Sequence, residues 1–567
     1  MPMDYKDFRD QIEQHLKNMT AADMKHVIRT MAEDVKGVQR HTFLSQLESI
    51  RSEKKAVHPS PQSEADELRK NVVAFATEID DGYFCDGWGW DSELQDERDW
   101  GDESWADQME DYLRKLRKLV QEGEYSLARE LYQILLNSFD QGYEPGHLPG
   151  YTDPSYLMDE DVEEHLAFYL VAVYLTTPPD ERPAVLSNSL SQFNYIGYEF
   201  EIREIARCLD VPLPDFDSFL AAWLELLLFQ DAKGNLSSIR EVLMMQGLEA
   251  QANFASRHYS DLPDTYIDWV DHLIVRHQID EAIKAIQKGL QLPDFAIRAK
   301  AELADRLASL AMSQKNSALQ LEALWKAFDY SPSLDRLIRW FERTDQGNDA
   351  QAKAATWQAA IDRLQTHPSN TLRGHALLIS GRLLEALDLC SDQNRTDSSA
   401  GIVVLDDLVL GYFLKALAKG GPFRAQIDRI WQHLVVESSV VPLIEAARSE
   451  DSKKIYDKLA NQAFSKHTLS PQQMNRMLEW AISQVDLRIA PILAQKHRST
   501  YPFAAQLVIA LIETMLDQNK ISPVSDYLGN IKTHYKRLSA FQRELRATIQ
   551  SDPDFEKVLS SVTGNGV

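Results

Sequence analysis

Cysteine is nearly missing from this chain. Three residues, Cys85, Cys208 and Cys390, stand far apart among 567, odd in number and with no CxxC pair. That argues against a disulfide framework and against a thiolate zinc site, and it predicts a reducing compartment. Glycine (23) and proline (22) are sparse for this length. All-β chains use many glycine turns, so the scarcity favours helix. The signatures of common chemistries are missing as well: no HExxH, no GxxxxGK[ST], no GxGxxG after a strand and no GxSxG. His272 and His277 are five apart, which does not set them on one helical face for a metal. Cys85 as a nucleophile needs a paired histidine, which the sequence does not show. No catalytic residue, cofactor or metal is therefore expected. Long apolar runs are absent: Phe219 to Phe229 is interrupted by Glu225 and too short to span a bilayer. The first residues, Met1 to Lys6, have no basic start followed by an apolar core. No signal peptide, no membrane and a cytoplasmic location are expected.

Positive charge is in deficit: 86 acidic residues stand against 60 basic ones, a net −26. That balance repels nucleic-acid phosphate globally, although a local basic face remains open. It also keeps an elongated protein in solution. Hydrophobic content of 44% and charged content of 26% are those of a globular protein. At this length the chain makes two to four domains or one extended solenoid.

What is present is a turn pattern. Gly123 to Ala128, His277 to Ala282 and Gly381 to Ala386 each carry a small or polar turn residue five positions before an alanine, and each alanine opens an apolar helix. Asn519 to Val524 is a weaker fourth match, with valine in place of alanine. This is how a tight turn between antiparallel helices reads. Apolar stripes at helical spacing continue along most of the chain: Leu113, Leu116, Leu119 and Val120, then Leu127, Leu131, Ile134 and Leu135, then Tyr266 to Leu290. No period-2 run bounded by turns stands out, so almost no sheet is expected. The fold class predicted is all-α: an irregular α-solenoid of antiparallel helix pairs.

Four regions follow. Residues 1–50 form an N-terminal helical segment, with a capping box at Thr20 to Asp23 and Met24, Val27, Ile28 and Met31 on one face. Residues 51–104 are a linker, Pro-bearing over 51–66, and an acidic–aromatic segment. Residues 105–345 and 346–567 are two helical-repeat regions, separated by the polar break Asp345 to Ala350. Pro212 and Pro214 lead into Asp215, the expected N-cap of the apolar helix holding Phe219 and Trp223.

Two features are candidates for partner binding. Residues 78–111 hold fourteen carboxylates, one base (Arg98) and four of the 11 tryptophans, Trp88, Trp90, Trp100 and Trp105. A plain acidic tail lacks aromatics because it has nothing to bury. The rings either anchor a loop to the chain's own helices, the favoured reading, or dock a partner. Cation binding by Asp86, Asp91 and Glu93 lacks the EF-hand order. The second feature is a basic cluster near the end, Lys532, Lys536, Arg537, Arg543 and Arg546. It is either a solvated helix face or a contact for nucleic acid or an acidic partner.

Residues 264–293 resemble a tetratricopeptide repeat. Counting from Ala282, Tyr266 sits 16 earlier, Ile286 four later, Gly289 seven later and Pro293 eleven later. The three alanines are 154 and 104 apart, not multiples of 34, so the array is irregular and TPR-like. Residues about 320–390 and 500–550 resemble the helical region of bacterial SWIM-zinc-finger proteins. They do so through Leu324-Trp325-Lys326-Ala327-Phe328, Ser331-Pro332-Ser333-Leu334, Trp357, His375 to Leu378 and Gly381, and later Leu511-Ile512, Tyr527-Leu528 and His534. That finger needs CxC and CxH, which three scattered cysteines cannot make, so the resemblance implies a helical interaction region without zinc. The expected function is a non-enzymatic scaffold or adaptor that binds another protein along a helical-repeat surface. A nucleic-acid-associated regulator using the C-terminal basic helices and an enzyme with an unrecognised site are the alternatives.

Overall fold

A computed structural model describes residues 19–34, 61–92, 96–150, 153–197, 200–345, 350–391, 399–418, 420–444, 449–466, 469–496 and 498–563. Most of the expected 1–50 segment, the first part of the linker, Glu93, most of the polar break at 345–350 and residues 392–398 lie outside these residues. The described chain is all-α apart from one two-stranded sheet. It forms two compact units, Met1–Met245 and Gln246–Val567. The break expected at 345/346 falls inside the second unit, where Phe341 stacks on Trp357 across it at 4.7 Å.

In the first unit, α1 (Ala21–Asp34) carries the stripe Met24, Val27, Ile28 and Met31, and all four are exposed. The linker expected over 51–66 is corrected: a helix, α2 (Pro61–Asp80), already begins at Pro61. Proline at the first helical position has no intrahelical N–H to lose, so it starts a helix instead of breaking one. Strands β1 (Cys85–Asp91) and β2 (Asp96–Gly101) then form an antiparallel hairpin. The loop expected here is thus a small sheet. Gly87-Trp88-Gly89-Trp90 does have period 2, but glycine's poor strand propensity hid it. Helices α3 (Trp105–Glu122), α4 (Tyr125–Gln141), α5 (Val162–Thr176), α6 (Arg182–Leu190), α7 (Phe216–Asp231) and α8 (Leu236–Gln246) follow. α4 packs on α2, α3 and α5. Asp215 does not cap α7: it adopts a left-handed conformation (φ 59°) and makes no side-chain cap. Its carboxylate lies 3.8 Å from Arg182 instead.

The second unit opens with α9 (Leu248–His258), α10 (Pro263–Val275), α11 (Ile279–Gln291), α12 (Ile297–Ser313), α13 (Ser317–Tyr330), α14 (Leu334–Asp345), α15 (Ala350–Arg363), α16 (Asn370–Ile379) and α17 (Leu383–Ser391). Each packs on the next, and α10 also meets α12, as α14 meets α16. That is the contact order of stacked helix pairs. After α18 (Ser399–Leu417), α19 (Ala425–Ile430) and a π-helical turn (Trp431–Val440), the order changes. α20 (Ser449–Lys466) returns to pack on α14 and α16. α21 (Pro471–Ala494), α22 (Tyr501–Asp517), α23 (Ile521–His534), α24 (Ser539–Gln550) and α25 (Pro553–Thr563) complete the unit around α22. Arg498–Asp517 is long and apolar enough to cross a membrane, yet 67% of it is buried in the protein as a core helix.

The turn pattern has one physical cause. Gly123, His277, Gly381 and Asn519 all adopt positive φ, at 89°, 58°, 80° and 55°. Each ends a helix in the same way: its N–H bonds the carbonyl three back, and the next N–H bonds the carbonyl five back. The residue five later, Ala128, Ala282, Ala386 or Val524, is fully buried against the preceding helix. A fifth member, Lys315 (φ 57°), makes the same two bonds between α12 and α13. Lysine there, with Gln320 five later, gave no signal in the sequence.

Candidate functional site

Three successive first helices of the stack, α10, α12 and α14, bring charged side chains together. Asp271 on α10 accepts two hydrogen bonds from Arg306 on α12, at 2.6 and 2.7 Å. Burial opposes the charge of Arg306, but the bonds and charge of Asp271 more than offset it and hold its pKa above the usual value. One repeat on, Asp305 accepts from Arg336 Nε and Arg339 Nη2 of α14, each at 2.9 Å. Arg339 also meets the buried Asp335 at 2.9 Å, and Asp335 in turn accepts from Ser452 Oγ. On the second helices, Arg363 of α15 donates to Asp329 of α13 at 2.7 Å. These partners are 35, 34 and 34 residues apart for Asp271–Arg306, Asp305–Arg339 and Asp329–Arg363. A period of 34 is therefore present over 271–363, carried by acid–arginine pairs. The alanine spacings missed it because they bridge distant parts of the chain.

Beside these pairs lies an open hollow of about 620 Å³, lined by Asp271, Ile274, Arg298, Glu302, Ser309 and Ser331 among others. Arg298 extends from it into solvent, 88% exposed at its side chain. Ion pairs fix its walls, and its mouth holds charges of both signs.

The aromatic segment divides. Trp105 is fully buried, donates Nε1 to the Pro149 carbonyl at 3.1 Å and packs on Phe139. Trp88, Trp90 and Trp100 are 54%, 61% and 42% exposed. Packing on the chain's own helices, the favoured reading, thus describes Trp105 and not the other three. The hairpin is pinned through the other strand: Asp99 accepts from the Gly146 N–H at 2.7 Å, and its carbonyl accepts from Gly150 at 2.9 Å. Of the three carboxylates considered for a cation, Asp86 and Asp91 stand on β1.

The basic cluster lies on α23, the turn after it and α24. Lys536, Arg537, Arg543 and Arg546 are exposed, and Lys532 is half-buried. Arg543 has Glu544 at 3.8 Å. Burial, and then the nearby charge of Arg546, lower the pKa of Lys532. Lys536 and Arg537 line a hollow of about 580 Å³ with Lys496, His534, Leu493 and Tyr535.

Among the described histidines, His165 has contacts on both ring nitrogens. Its Nδ1 lies 2.9 Å from Tyr132 Oη and its Nε2 3.1 Å from Glu160 Oε2. Arg117 approaches the same Nε2 and Glu160. The ring is fully buried, and burial pushes its pKa down to about 4. Cys208, on a nearby hollow of about 500 Å³, is pushed up to about 12 by burial and donates to the Glu204 carbonyl. A ring with both nitrogens engaged and a protonated thiol fit a structural polar core.

No protein-family model matches the chain, and no curated protein matches it. Among solved structures it is similar to a "circular tandem repeat protein with novel repeat topology and enhanced subunit contact surfaces". That match covers 88% of this chain and 98% of the other, at 13% identity and a TM-score of 0.14, a superposition too loose to support a functional comparison. The helical-repeat architecture rests on the chain's own turns, pairings and periodicity.

Proposed function

We propose that the chain is a non-enzymatic, cytoplasmic scaffold that holds a segment of a partner protein against α10, α12 and α14. One observation carries this reading: side chains from three successive first helices converge on a hollow whose walls are fixed by the Asp271–Arg306 and Asp305–Arg336/Arg339 pairs. Stacked helix pairs bind by presenting such side chains along a continuous face. Paired charges positioned before binding give orientation and partner choice more than raw affinity. The test is capture from native-host lysate with wild type and with Arg298→Glu/Ser309→Arg, which changes exposed groove positions only. The expected result is loss of the captured protein at unchanged thermal stability. Equal capture by the variant would contradict the groove.

A second reading has its own observation. Arg546 lies near enough to Lys532 for its charge to lower that pKa, and Lys536 and Arg537 line one hollow with Lys496, in a chain of net charge −26. An anion, including a nucleic-acid backbone, would relieve that repulsion. Binding of a short duplex that weakens steeply with salt and vanishes in Lys536→Glu/Arg537→Glu would favour this reading over the first.

A further inference from the structure

The acidic–aromatic hairpin remains after the groove is assigned, and its two edges differ. β2 has a neighbour on its outer side, through the Asp99–Gly150 bridge. Among the described residues β1 pairs with β2 alone, and on its other edge the backbone of Asp86 to Trp90 bonds none of them. An unpaired edge is a template for another strand. Trp88 and Trp90 are two apart on β1, so they leave the same face of the sheet, and both are largely exposed. On the opposite face Trp100 crosses Gly89 and lies under the Arg98 guanidinium, 4.6 Å from its centroid. Arg98 is the only cation in 78–111 and is engaged by Asp91 and Glu103 as well.

The charge around this edge decides what can occupy it. Asp86 on β1 and Glu97 on β2 are exposed, and so are Glu78, Asp80 and Asp81, where α2 ends and the chain leads into β1. The same edge on a second copy would bring like charges opposite one another, which disfavours pairing. A cationic strand meets the opposite situation. Its backbone completes the edge, its charges face carboxylates, and its lysine or arginine heads can lie on indole faces.

We propose that the free edge of β1 accepts an extended, cationic segment of a partner protein as a third strand, with lysine or arginine side chains laid on Trp88 and Trp90. This site shares no residue with the groove on α10, α12 and α14.

The probe is a fluorescent peptide of about eight residues, the length of a short strand, alternating arginine and valine. Its companion carries N-methyl groups on alternate residues, which keep the charge and remove the strand's donors. Binding is measured by anisotropy to the full chain. The expected result is saturable binding that weakens about tenfold or more with the N-methylated peptide, and again in Trp88→Ala/Trp90→Ala. Arg298→Glu should leave it unchanged. Equal binding of both peptides would mean attraction without strand addition and would overturn the proposal. So would full affinity in the double tryptophan variant, no binding at low salt, or self-association of the protein that the tryptophan variant abolishes.

Discussion

Asp271 and Arg306 stand 35 residues apart in sequence and are joined by two hydrogen bonds at 2.6 and 2.7 Å. The relation recurs one repeat later between Asp305 and Arg339, 34 apart. Each of these two pairs ties one first helix of the stack to the next. Asp305 is the more consequential partner, because Arg336 and Arg339 are nearly buried. Asp305→Ala takes the carboxylate from Arg336 and leaves Arg339 with Asp335, and should cost about 1–3 kcal/mol, whereas Asp271→Ala, at a more exposed pair, should cost about 1 kcal/mol or less. Urea unfolding of the two variants measures the difference; equal, small losses would remove the inter-repeat role.

The helix crossing at the tetratricopeptide-like repeat can be overfilled. A Cβ on Gly289 would meet Leu303 Cδ1 at 2.6 Å and Tyr266 Cε1 at 2.9 Å. Gly289→Val should lower stability by about 1–3 kcal/mol. Ala282, fully buried, should tolerate arginine still less, at a cost of several kcal/mol by order of magnitude. Normal thermal unfolding of Ala282→Arg would refute the close crossing.

Left-handed turn positions carry opposite signs for glycine. His277 and Lys315 hold φ near 58° and 57° with a side chain. His277→Gly or Lys315→Gly should be neutral or stabilising by up to about 1 kcal/mol, and Gly381→Ala (φ 80°) should destabilise by about 1 kcal/mol. Denaturation midpoints test the contrast. Loss of stability in both glycine variants would mean that the side chains matter more than the backbone.

Acid should act differently on the two units. His165 and His375 are buried, with pKa values pushed by burial from 6.5 down to about 4 and about 3. The unfolded chain takes up these protons first. Stability from each neutral ring is therefore present above about pH 6.5 and is lost as pH falls toward the folded value, by at most about 1.4 kcal/mol per pH unit. Glu513 runs the other way. Burial lifts it to about 7 although it accepts from the Gln426 and Ile427 N–H groups, so its contribution is full below about 4.5 and is lost as pH rises through 7. Hydrogen exchange should show α5 weakening steadily below pH 6.5, while α16, in the same unit as Glu513, holds until about pH 4.5. His165→Gln should reduce the first trend and Glu513→Gln should expose the second; unchanged profiles in both variants would contradict the assignments.

Tryptophans within the acidic segment should separate by burial. Trp105→Ala should cost about 3–5 kcal/mol, and Trp88→Ala or Trp90→Ala no more than about 0.5 kcal/mol. Thermal melts of the single variants decide this.

The helices were legible because apolar spacing near 3.6 and the four turn residues are local signals. Tyr266, Ala282 and Gly289 were legible for the same reason: Tyr266 donates to the Ala285 carbonyl at 2.8 Å and lies on Gly289, all within one helix pair. The groove was not legible. Asp305, Arg336 and Arg339 look like ordinary surface charges until the 34-residue period brings them together. The hairpin was hidden by glycines alternating with its tryptophans. The return of α20 onto α14 and α16 leaves no local trace, since it depends on contacts such as Ser452 with Asp335, 117 residues apart.

The central claim is that α10, α12 and α14 form a binding face, and hydrogen exchange of the full chain with and without its captured partner tests it most directly. The expected result is added protection concentrated in 263–313 and 331–339, lost in Arg298→Glu/Ser309→Arg. Protection confined to α23 and α24, or no change over 263–339 when partner is bound, would contradict it.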